Sequence, residues 1–287
     1  MARSFCITDR GNAANEDFVR VADSYGVVID GASGLAGAPL FAGRFASNAQ
    51  WLAHVVGAAV CEALDAGARA EEALEGAVSL ARGELETAAG TPLAEMDPLA
   101  VPSATLALVV VGDESVELYG LGDSPMAALM RNGSLVVSTD DVLEELDARA
   151  VALMSERDPG LALTGPERRR LVDDVVRAHR LLRNTEGGYW SLDPTGAALA
   201  HLRRRSLPRD EVASVAGMSD GFWRAFARSG PAAFGVADPA AELARLTPER
   251  SRTILVRLRE LEASDPDYLR FPRLKRSDDA SLFWLEG

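Results

Sequence analysis

The predicted fold is built outward from one stretch of sequence, Tyr25-Gly26-Val27-Val28-Ile29-Asp30-Gly31-Ala32-Ser33-Gly34. Three consecutive β-branched apolar residues precede Asp30, a pattern that predicts a buried strand ending in a tight turn. Asp30 is the first charged residue after the run, so we expect its carboxylate at the end of the strand, partly shielded from water. An Asp-Gly pair taken alone is more typical of a structural hairpin turn. The same pattern recurs along the chain, however, and the recurrence favours a functional interpretation.

Length, composition and charge narrow the class of protein. The chain has 287 residues, of which 47% are hydrophobic and 25% charged, as in ordinary globular proteins. A formal charge of −13 argues against nucleic acid and anionic membranes as main partners. Cys6 and Cys61 cannot form a disulfide framework, the opening residues lack a signal-peptide core, and the longest uncharged stretch, 45–61, contains polar residues. We therefore expect a soluble, cytoplasmic protein without a membrane span.

The apolar patterns predict a single α+β domain over residues 1–287. Short apolar runs predict strands over 5–8, 15–21, 25–30, 105–111, 116–121, 126–130, 134–138, 212–218 and 281–285. Helical spacing predicts helices from near 39 to 63, from 70 to 88, from 142 to 157, after Thr164 to 182, and after Thr247. The 105–138 region is predicted to be an antiparallel meander. Strands bracket the helical sections, which favours one domain.

Residues 141–205 differ from the rest because they are helical in pattern and rich in arginine. The triplets Arg168–Arg170 and Arg203–Arg205 are interpreted as solvated faces. In an acidic protein they could also attract an anionic substrate.

Five acidic residues stand where an apolar run starts or stops: Asp17, Asp30, Asp123, Asp220 and Asp278. Carboxylates grouped at strand ends repel one another unless cations lie between them, and Mg²⁺ or Mn²⁺ prefers such oxygen ligands. Two such ions activate water and stabilise the oxygens of an in-line phosphoryl displacement. The sequence has no P-loop and no paired-cysteine zinc pattern. The three histidines lack metal-ligand spacing and are interpreted as ordinary: His54, His179 and His201.

Short motifs containing these acids occur in a fixed order: Asn15-Glu16-Asp17, Asp30-Gly31-x-x-Gly34, Gly122-Asp123-Ser124, Ser219-Asp220-Gly221 and Asp278-Asp279-Ala280-Ser281. Each is weak alone, but together they resemble the metal-dependent protein phosphatases, the type 2C serine/threonine phosphatase family, in its bacterial form. The resemblance extends over residues 8–285. It implies a four-layer α/β/β/α sandwich with two central antiparallel sheets, and it places a variable flap at about 141–205.

The resemblance also implies the cofactors and the role of each acidic residue. The implied cofactors are two Mn²⁺ or Mg²⁺ ions, with a third in many members. Asp30 would bridge two metals, and the Gly31 carbonyl would bind one of them. The other implied roles are metal ligation by Asp220 and Asp278, a weaker third site at Asp123, and orientation of metal-bound water by Glu16 and Asp17. Asp30, Asp17 and Glu16 are therefore the predicted catalytic residues.

The predicted phosphate site departs from the family pattern. Five residues before Asp17, where the family has a phosphate-binding arginine, this chain has Asn12. Arg10 or Arg183 is the candidate replacement. Ala32 stands at the position of the histidine of eukaryotic members, and Ser33 stands where glycine is usual.

Two functions from different classes follow from this sequence. The first is a metal-dependent phosphatase that hydrolyses phosphoserine and phosphothreonine esters through a metal-bridging water. The alternative is a catalytically weak relative that binds a phosphoprotein or regulatory partner, which the uncharged Asn12 favours. A phosphorylated protein or another phosphate ester is the expected partner.

Overall fold

The computed structural model describes residues 4–32, 34–226 and 238–287, and this part contains ten strands and eight α-helices. In chain order β1 to β10 are Ser4–Asp9, Asp17–Val21, Tyr25–Ala32, Ser103–Val111, Ser115–Leu121, Met126–Met130, Leu135–Ser138, Arg203–Pro208, Val212–Met218 and Ala280–Glu286. Helices α1 to α8 are Asn48–Asp65, Ala70–Ala89, Val142–Arg157, Gly165–Arg170, Asp173–Arg180, Asp220–Trp223, Pro239–Leu243 and Pro248–Ala263. None of the described helices has the length and apolar character needed to cross a membrane.

The strands form two five-stranded antiparallel sheets. Sheet A has the order β1-β10-β9-β6-β7, and sheet B has the order β2-β3-β4-β5-β8. The expected pair of antiparallel sheets in an α+β protein is confirmed.

The sheets pack face to face, and helices cover their outer sides. Val28 of β3 lies in the core between the sheets, whereas Val27 and Ile29 face the core beneath α1 and α2. Helices α6 to α8 pack on the outer side of sheet A, where Phe222 and Leu255 contact its apolar residues. The run Val27–Ile29 is therefore continuous because both faces of β3 are buried.

One aromatic ring lies between the two sheets and packs directly against glycines of both. Phe283 of β10 is fully buried and lies opposite Gly217 of β9 in the strand register. A Cβ atom at Gly217 or at Gly26 of the opposite sheet would lie 2.3 Å from the Phe283 ring. Both positions therefore need glycine to admit the ring.

Three predicted elements were wrong in their extent. The single helix predicted after Thr164 to 182 is two helices, α4 and α5. The helix predicted from near residue 39 begins at Asn48, because Ser47 caps it and Gly43 has a φ of 95° that a helix cannot accommodate. The predicted meander is divided between the sheets, since β5 belongs to sheet B and β6 to sheet A. The chain changes sheets at Gly122, whose φ is 68°.

The arginine triplets are not simply solvated faces. Arg203–Arg205 belongs to β8, an edge strand of sheet B, and the Arg203 guanidinium donates to the Gly122 carbonyl at 2.7 Å. Arg168 is buried, lies 3.9 Å from an Asp158 carboxylate oxygen, and donates to the Asp267 carbonyl. These side chains join residues 168 and 203 to distant parts of the chain, at Asp267 and Gly122. The interpretation as solvated faces is therefore wrong for Arg168 and Arg203.

We expect Gly26→Ala to lower the free energy of unfolding by about 1–3 kcal/mol, because its methyl group would overlap the Phe283 ring. Denaturant titration measures the change. Gly83→Ala is the matched control, since Gly83 is exposed on α2 and its Cβ would meet nothing within 4 Å, and it should stabilise by about 0.5–1 kcal/mol. If combining Gly26→Ala with Phe283→Leu relieves none of the loss, the ring is not its cause.

Candidate metal centre

Two acidic residues meet at the end of sheet B. Asp17 of β2 lies directly opposite Asp30 of β3, and Asp30 lies opposite Thr105 of β4. Paired residues project from the same face of a sheet, and Asp30 shares the face of Val28 because alternate residues point the same way. Both carboxylates therefore face the space between the sheets.

Two more acidic residues lie just beyond the strands of sheet A. Strand β9 ends and β10 begins at the same end of the sheet because the two strands are antiparallel, which brings Asp220, the first residue of α6, close to Asp278, which precedes β10. The Ser219 amide donates to the Ser281 carbonyl at 3.0 Å, and the Ser281 amide donates to Ser219 Oγ at 2.9 Å. A Cβ atom at Gly221 would lie 2.1 Å from the Asp279 carbonyl oxygen, so glycine permits this close approach.

Asp123 joins the group where the chain crosses between the sheets. Ser124, the next residue, is fully buried, and its hydroxyl hydrogen-bonds to that of Thr105 at 2.5 Å. This bond ties the crossing to the strand that pairs with Asp30. Five carboxylates therefore form one group, which we call the acidic cluster: Asp17, Asp30, Asp123, Asp220 and Asp278.

Several carboxylate oxygens of the cluster have no partner. Asp17 and Asp278 are each only 3% exposed. Both oxygens of Asp17 and Oδ2 of Asp278 are buried without a hydrogen bond to any described residue. Buried carboxylates are costly unless they are paired or bind a metal, so these oxygens are suited to a cation.

The electrostatics of the cluster match this arrangement. Desolvation raises the pKa of Asp17 to about 7; the nearby Ser281 hydroxyl opposes the rise, and the charges of Asp278 and Asp279 add to it. Desolvation first and neighbouring carboxylates second also raise the pKa of Asp30, Asp123 and Asp220. Asp278 is the exception. Although desolvation opposes the change, Lys275 lowers its pKa.

The donor set fits a hard divalent cation, although the carboxylates do not form a finished cage. Within the described part of the chain, no three Asp, Glu, His or Cys side chains are grouped closely enough to hold a metal ion as they stand. Because like charges repel, carboxylates with no cation between them are expected to lie farther apart than the ligands of a bound metal ion. The unpartnered oxygens of Asp17 and Asp278 are the hard ligands that Mg²⁺ and Mn²⁺ prefer.

Backbone contacts hold the predicted Glu16 and Gly31 beside the cluster. The Gly31 amide donates to the Glu16 carbonyl at 3.2 Å, and the Glu16 side chain accepts a hydrogen bond from Ser47 Oγ. Asp279 binds backbone rather than joining the cluster, because its two oxygens accept from the amides of Gly11 and Glu16, each at 2.8 Å.

The candidate phosphate ligands differ in how far they are already engaged. Arg10 and Asn12 are exposed, and the Arg10 guanidinium donates only weakly to the Ala13 carbonyl at 3.3 Å. Arg183 is buried, and its guanidinium donates to the carbonyls of Pro98 and Val101 at 3.0 Å each. A further contact of 3.4 Å pairs Arg183 with Asp193. Arg183 therefore has a structural role in this conformation and is the weaker candidate.

Three charged residues near the cluster were missed by sequence reasoning. Asp147 of helix α3 is exposed, yet desolvation and the charge of Asp220 raise its pKa to about 6. Burial lowers the pKa of Arg224, but the charges of Asp220 and Asp278 outweigh it and raise the value. Lys275 forms an ion pair with Asp278. Asp147 carries no distinguishing pattern among its acidic neighbours, but Lys275 does, because it is the only lysine in the sequence.

The sequence matches the profile of a known family, Protein phosphatase 2C, over residues 9–256. The chain belongs to this family. No curated protein matches it.

Solved structures of bacterial type 2C phosphatases share the fold. The Mycobacterium tuberculosis serine/threonine phosphatase PstP/Ppp matches with a TM-score of 0.56 and 16% identity, over 99% of this chain and 98% of that one. The PstP catalytic domain in complex with 2 manganese ions matches with 0.56 and 18%, over 99% and 97%. Stp1 from Staphylococcus aureus matches with 0.56 and 13%, over 100% and 95%.

We expect Asp17→Asn to stabilise the protein in EDTA by an amount that depends on pH. The raised pKa means that folded Asp17 holds its proton more tightly than the unfolded chain does, so its contribution to stability is lost as pH rises from about 4 to about 7. Asparagine does not titrate, so the advantage of the variant should grow over this window, to on the order of 2–4 kcal/mol, and then level off. Denaturant titrations of both proteins across pH measure the difference.

Asp265→Asn is the control of opposite sign. Desolvation opposes the shift, but the amides of Phe271 and Arg270 lower the pKa of Asp265. This variant should be less stable than the wild type by a constant amount from pH 5 to pH 8, because Asp265 is ionised in both the folded and the unfolded chain over that range. An Asp17→Asn advantage that is the same at every pH would contradict the raised pKa.

Proposed function

We propose that this chain is a Mg²⁺- or Mn²⁺-dependent protein phosphatase that hydrolyses phosphoserine and phosphothreonine esters. The observation that carries the proposal is the convergence of carboxylates from both sheets, with the unpartnered oxygens of Asp17 and Asp278 among them. Membership of the type 2C family and the shared fold of named serine/threonine phosphatases support it. The chain acts in this proposal as one domain, 1–287, with a flap at about 141–205.

Each residue has a distinct role in this proposal. Asp30 and the Gly31 carbonyl, with Asp220 and Asp278, hold two divalent ions, and Asp123 contributes to a third. When bound, such ions lower the pKa of a water molecule and stabilise the oxygens of an in-line displacement at phosphorus. Glu16 and Asp17 orient water at the site. Because Asp17 and Asp30 are fixed by strand register, their spacing is set before any ligand binds.

The alternative is a catalytically weak relative that binds a phosphoprotein or regulatory partner. It is favoured by the state of the candidate phosphate ligands, because Asn12 is uncharged and Arg183 is engaged by two carbonyls and Asp193. A different phosphate ester as substrate is a third reading. Assaying p-nitrophenyl phosphate beside a phosphothreonine peptide, with Mn²⁺, Mg²⁺ or EDTA, separates all three.

We expect phosphatase activity to require Mn²⁺ or Mg²⁺ and to fall by at least about a hundredfold in Asp30→Asn and in Asp220→Asn, because each change removes a ligand charge. Steady-state hydrolysis of both substrates is the measurement. Wild-type turnover that is undiminished in excess EDTA would contradict the proposed dependence on a metal ion. Hydrolysis of p-nitrophenyl phosphate without any turnover of the peptide would favour another ester.

Metal binding should also stabilise the fold. A ligand that binds only the native state adds about 2.7 kcal/mol at a hundredfold excess over its Kd. We therefore expect Mn²⁺ to raise the melting temperature by about 5–10 °C. Asp278→Asn should reduce this shift because it removes a ligand. A melting temperature that does not respond to millimolar Mn²⁺ would mean that these acids form no site.

We expect Arg10→Ala to raise KM for a phosphopeptide by about tenfold without changing Mn²⁺ affinity, because a charged hydrogen bond to phosphate is lost. Arg183→Ala is the comparison. Its main effect should be a lower melting temperature, since it loses buried contacts that attach the flap. If Arg10→Ala leaves KM unchanged while Asn12→Arg lowers it, the phosphate site is a degraded one.

A further inference from the structure

The only lysine of the chain lies beside the acidic cluster. The sequence contains 30 cationic residues, and all except Lys275 are arginine. The Lys275 ammonium group contacts Oδ1 of Asp278, while the side chain is 48% exposed. This amine therefore reaches the cluster from its solvent side, and it contacts one of the residues proposed to bind a metal.

The loop that carries Lys275 is held rigidly. Arg273 is 4% exposed, and its guanidinium pairs with Asp265 at 2.8 Å and donates to the carbonyls of Phe271 and Glu262 at 2.7 and 2.9 Å. The Asp265 carboxylate accepts in turn from three backbone amides of this loop, at 2.9 to 3.1 Å. Lys275 follows Arg273 by two residues, so the fold determines where its amine can reach.

The charge of Lys275 acts on most of the cluster. It lowers the pKa of Asp30, Asp220 and Asp278 against the effects that raise them. Arg224 acts similarly on Asp220 and Asp278, but it shows no ion pair with either among the described residues. Among the described residues, Lys275 is therefore the cation that forms an ion pair with the cluster.

We propose that Lys275 is an internal counter-ion that competes with a divalent cation for Asp278 and so sets the metal affinity of the site. The Asp278 Oδ1 atom already accepts from the Asp279 amide at 3.0 Å and contacts the Lys275 amine, which leaves Oδ2 as its free oxygen. A divalent ion at this carboxylate meets the positive charge of the amine at short range. Binding therefore requires the amine to move away or to tolerate that repulsion.

The inference rests on the metal-binding step of the proposed function, and binding can be measured without catalysis. We expect Lys275→Met to bind Mn²⁺ about tenfold more tightly than the wild type in isothermal titration calorimetry, because a competing charge is removed while the stem is kept. Arg276→Met is the matched control. It removes the same charge one residue later, from a guanidinium that makes no ion pair within the described residues, and it should change Kd by less than about twofold. Lys275→Arg should stay near the wild-type affinity.

A second measurement uses the wild-type protein and so does not depend on whether a variant folds. Because Lys275 is the only lysine, an acylating reagent followed by peptide mass spectrometry reports on this one side-chain amine. We expect Mn²⁺ to accelerate acylation of Lys275, since the amine is released from Asp278, while the α-amino group of the chain serves as the internal reference. Asp278→Asn should accelerate it without any metal.

The outcomes separate this inference from the proposed function. If the wild type binds no Mn²⁺, the proposed metal site itself fails. If the wild type binds Mn²⁺ but Lys275→Met binds it no more tightly, the counter-ion role is overturned and the proposed function stands. Acylation of Lys275 that Mn²⁺ leaves unchanged or slows would overturn it independently.

Discussion

Main-chain pairing holds like charges together in this protein. The β2–β3 register fixes Asp17 opposite Asp30, and the meeting of β9 with β10 fixes Asp220 near Asp278. Asp17 and Asp30 cannot separate without breaking the β2–β3 pairing, and Asp220 and Asp278 directly flank the paired ends of β9 and β10. The apolar cores therefore stabilise an arrangement that repulsion alone would disperse. Burial of Asp17 is the main cause of its raised pKa, and the charges of Asp278 and Asp279 add to it.

Adjacent carboxylates have opposite roles at this edge. Asp278 belongs to the acidic cluster and has one oxygen without a hydrogen bond. Both oxygens of Asp279 instead accept hydrogen bonds from backbone amides of residues 11 to 16. Arg259 of α8 reinforces the same point, because it donates to the Asp278 carbonyl and to Asp9, each at 2.7 Å. Strands β1 and β10 and helix α8 are thus joined around Asp278.

Sequence reasoning succeeded where one physical cause dominated the pattern. The run before Asp30 was correctly predicted as a strand because both of its faces are buried, and α3 was predicted with its observed bounds. The motifs also indicated which acids belong together, since family resemblance carries spatial information that spacing does not. The metal roles of these residues and those of Arg10, Asn12 and Arg183 remain predictions.

Sequence reasoning failed where tertiary contacts override a local pattern. Phe41 was included in the predicted helix because its spacing from the following apolar residues is helical. In the structure its ring packs on that of Trp51, with the ring centroids 4.0 Å apart, but the φ of Gly43 excludes a helix at this position. Strand β8 was not predicted, because three consecutive arginines suggest a segment exposed to solvent. Arg203 instead donates to Asp140 and to the Gly122 carbonyl. The buried Asp265 carboxylate pairs with Arg273 at 2.8 Å, and neither residue stood out in the sequence. Such contacts depend on the tertiary fold and leave no local pattern in the sequence.

The position of β10 in sheet A has a consequence for synthesis on the ribosome. Every strand of sheet B has been made once residue 208 is reached, together with α1 and α2, which cover its outer side. Sheet A must wait, because β10 lies between β1 and β9 and is the last of the ten described strands to be made. Strand β1 is made before the other nine but pairs only with β10, so its edge stays open while β2 to β9 are synthesised. Asp278 arrives with that final strand, and the acidic cluster is assembled only when the second sheet closes.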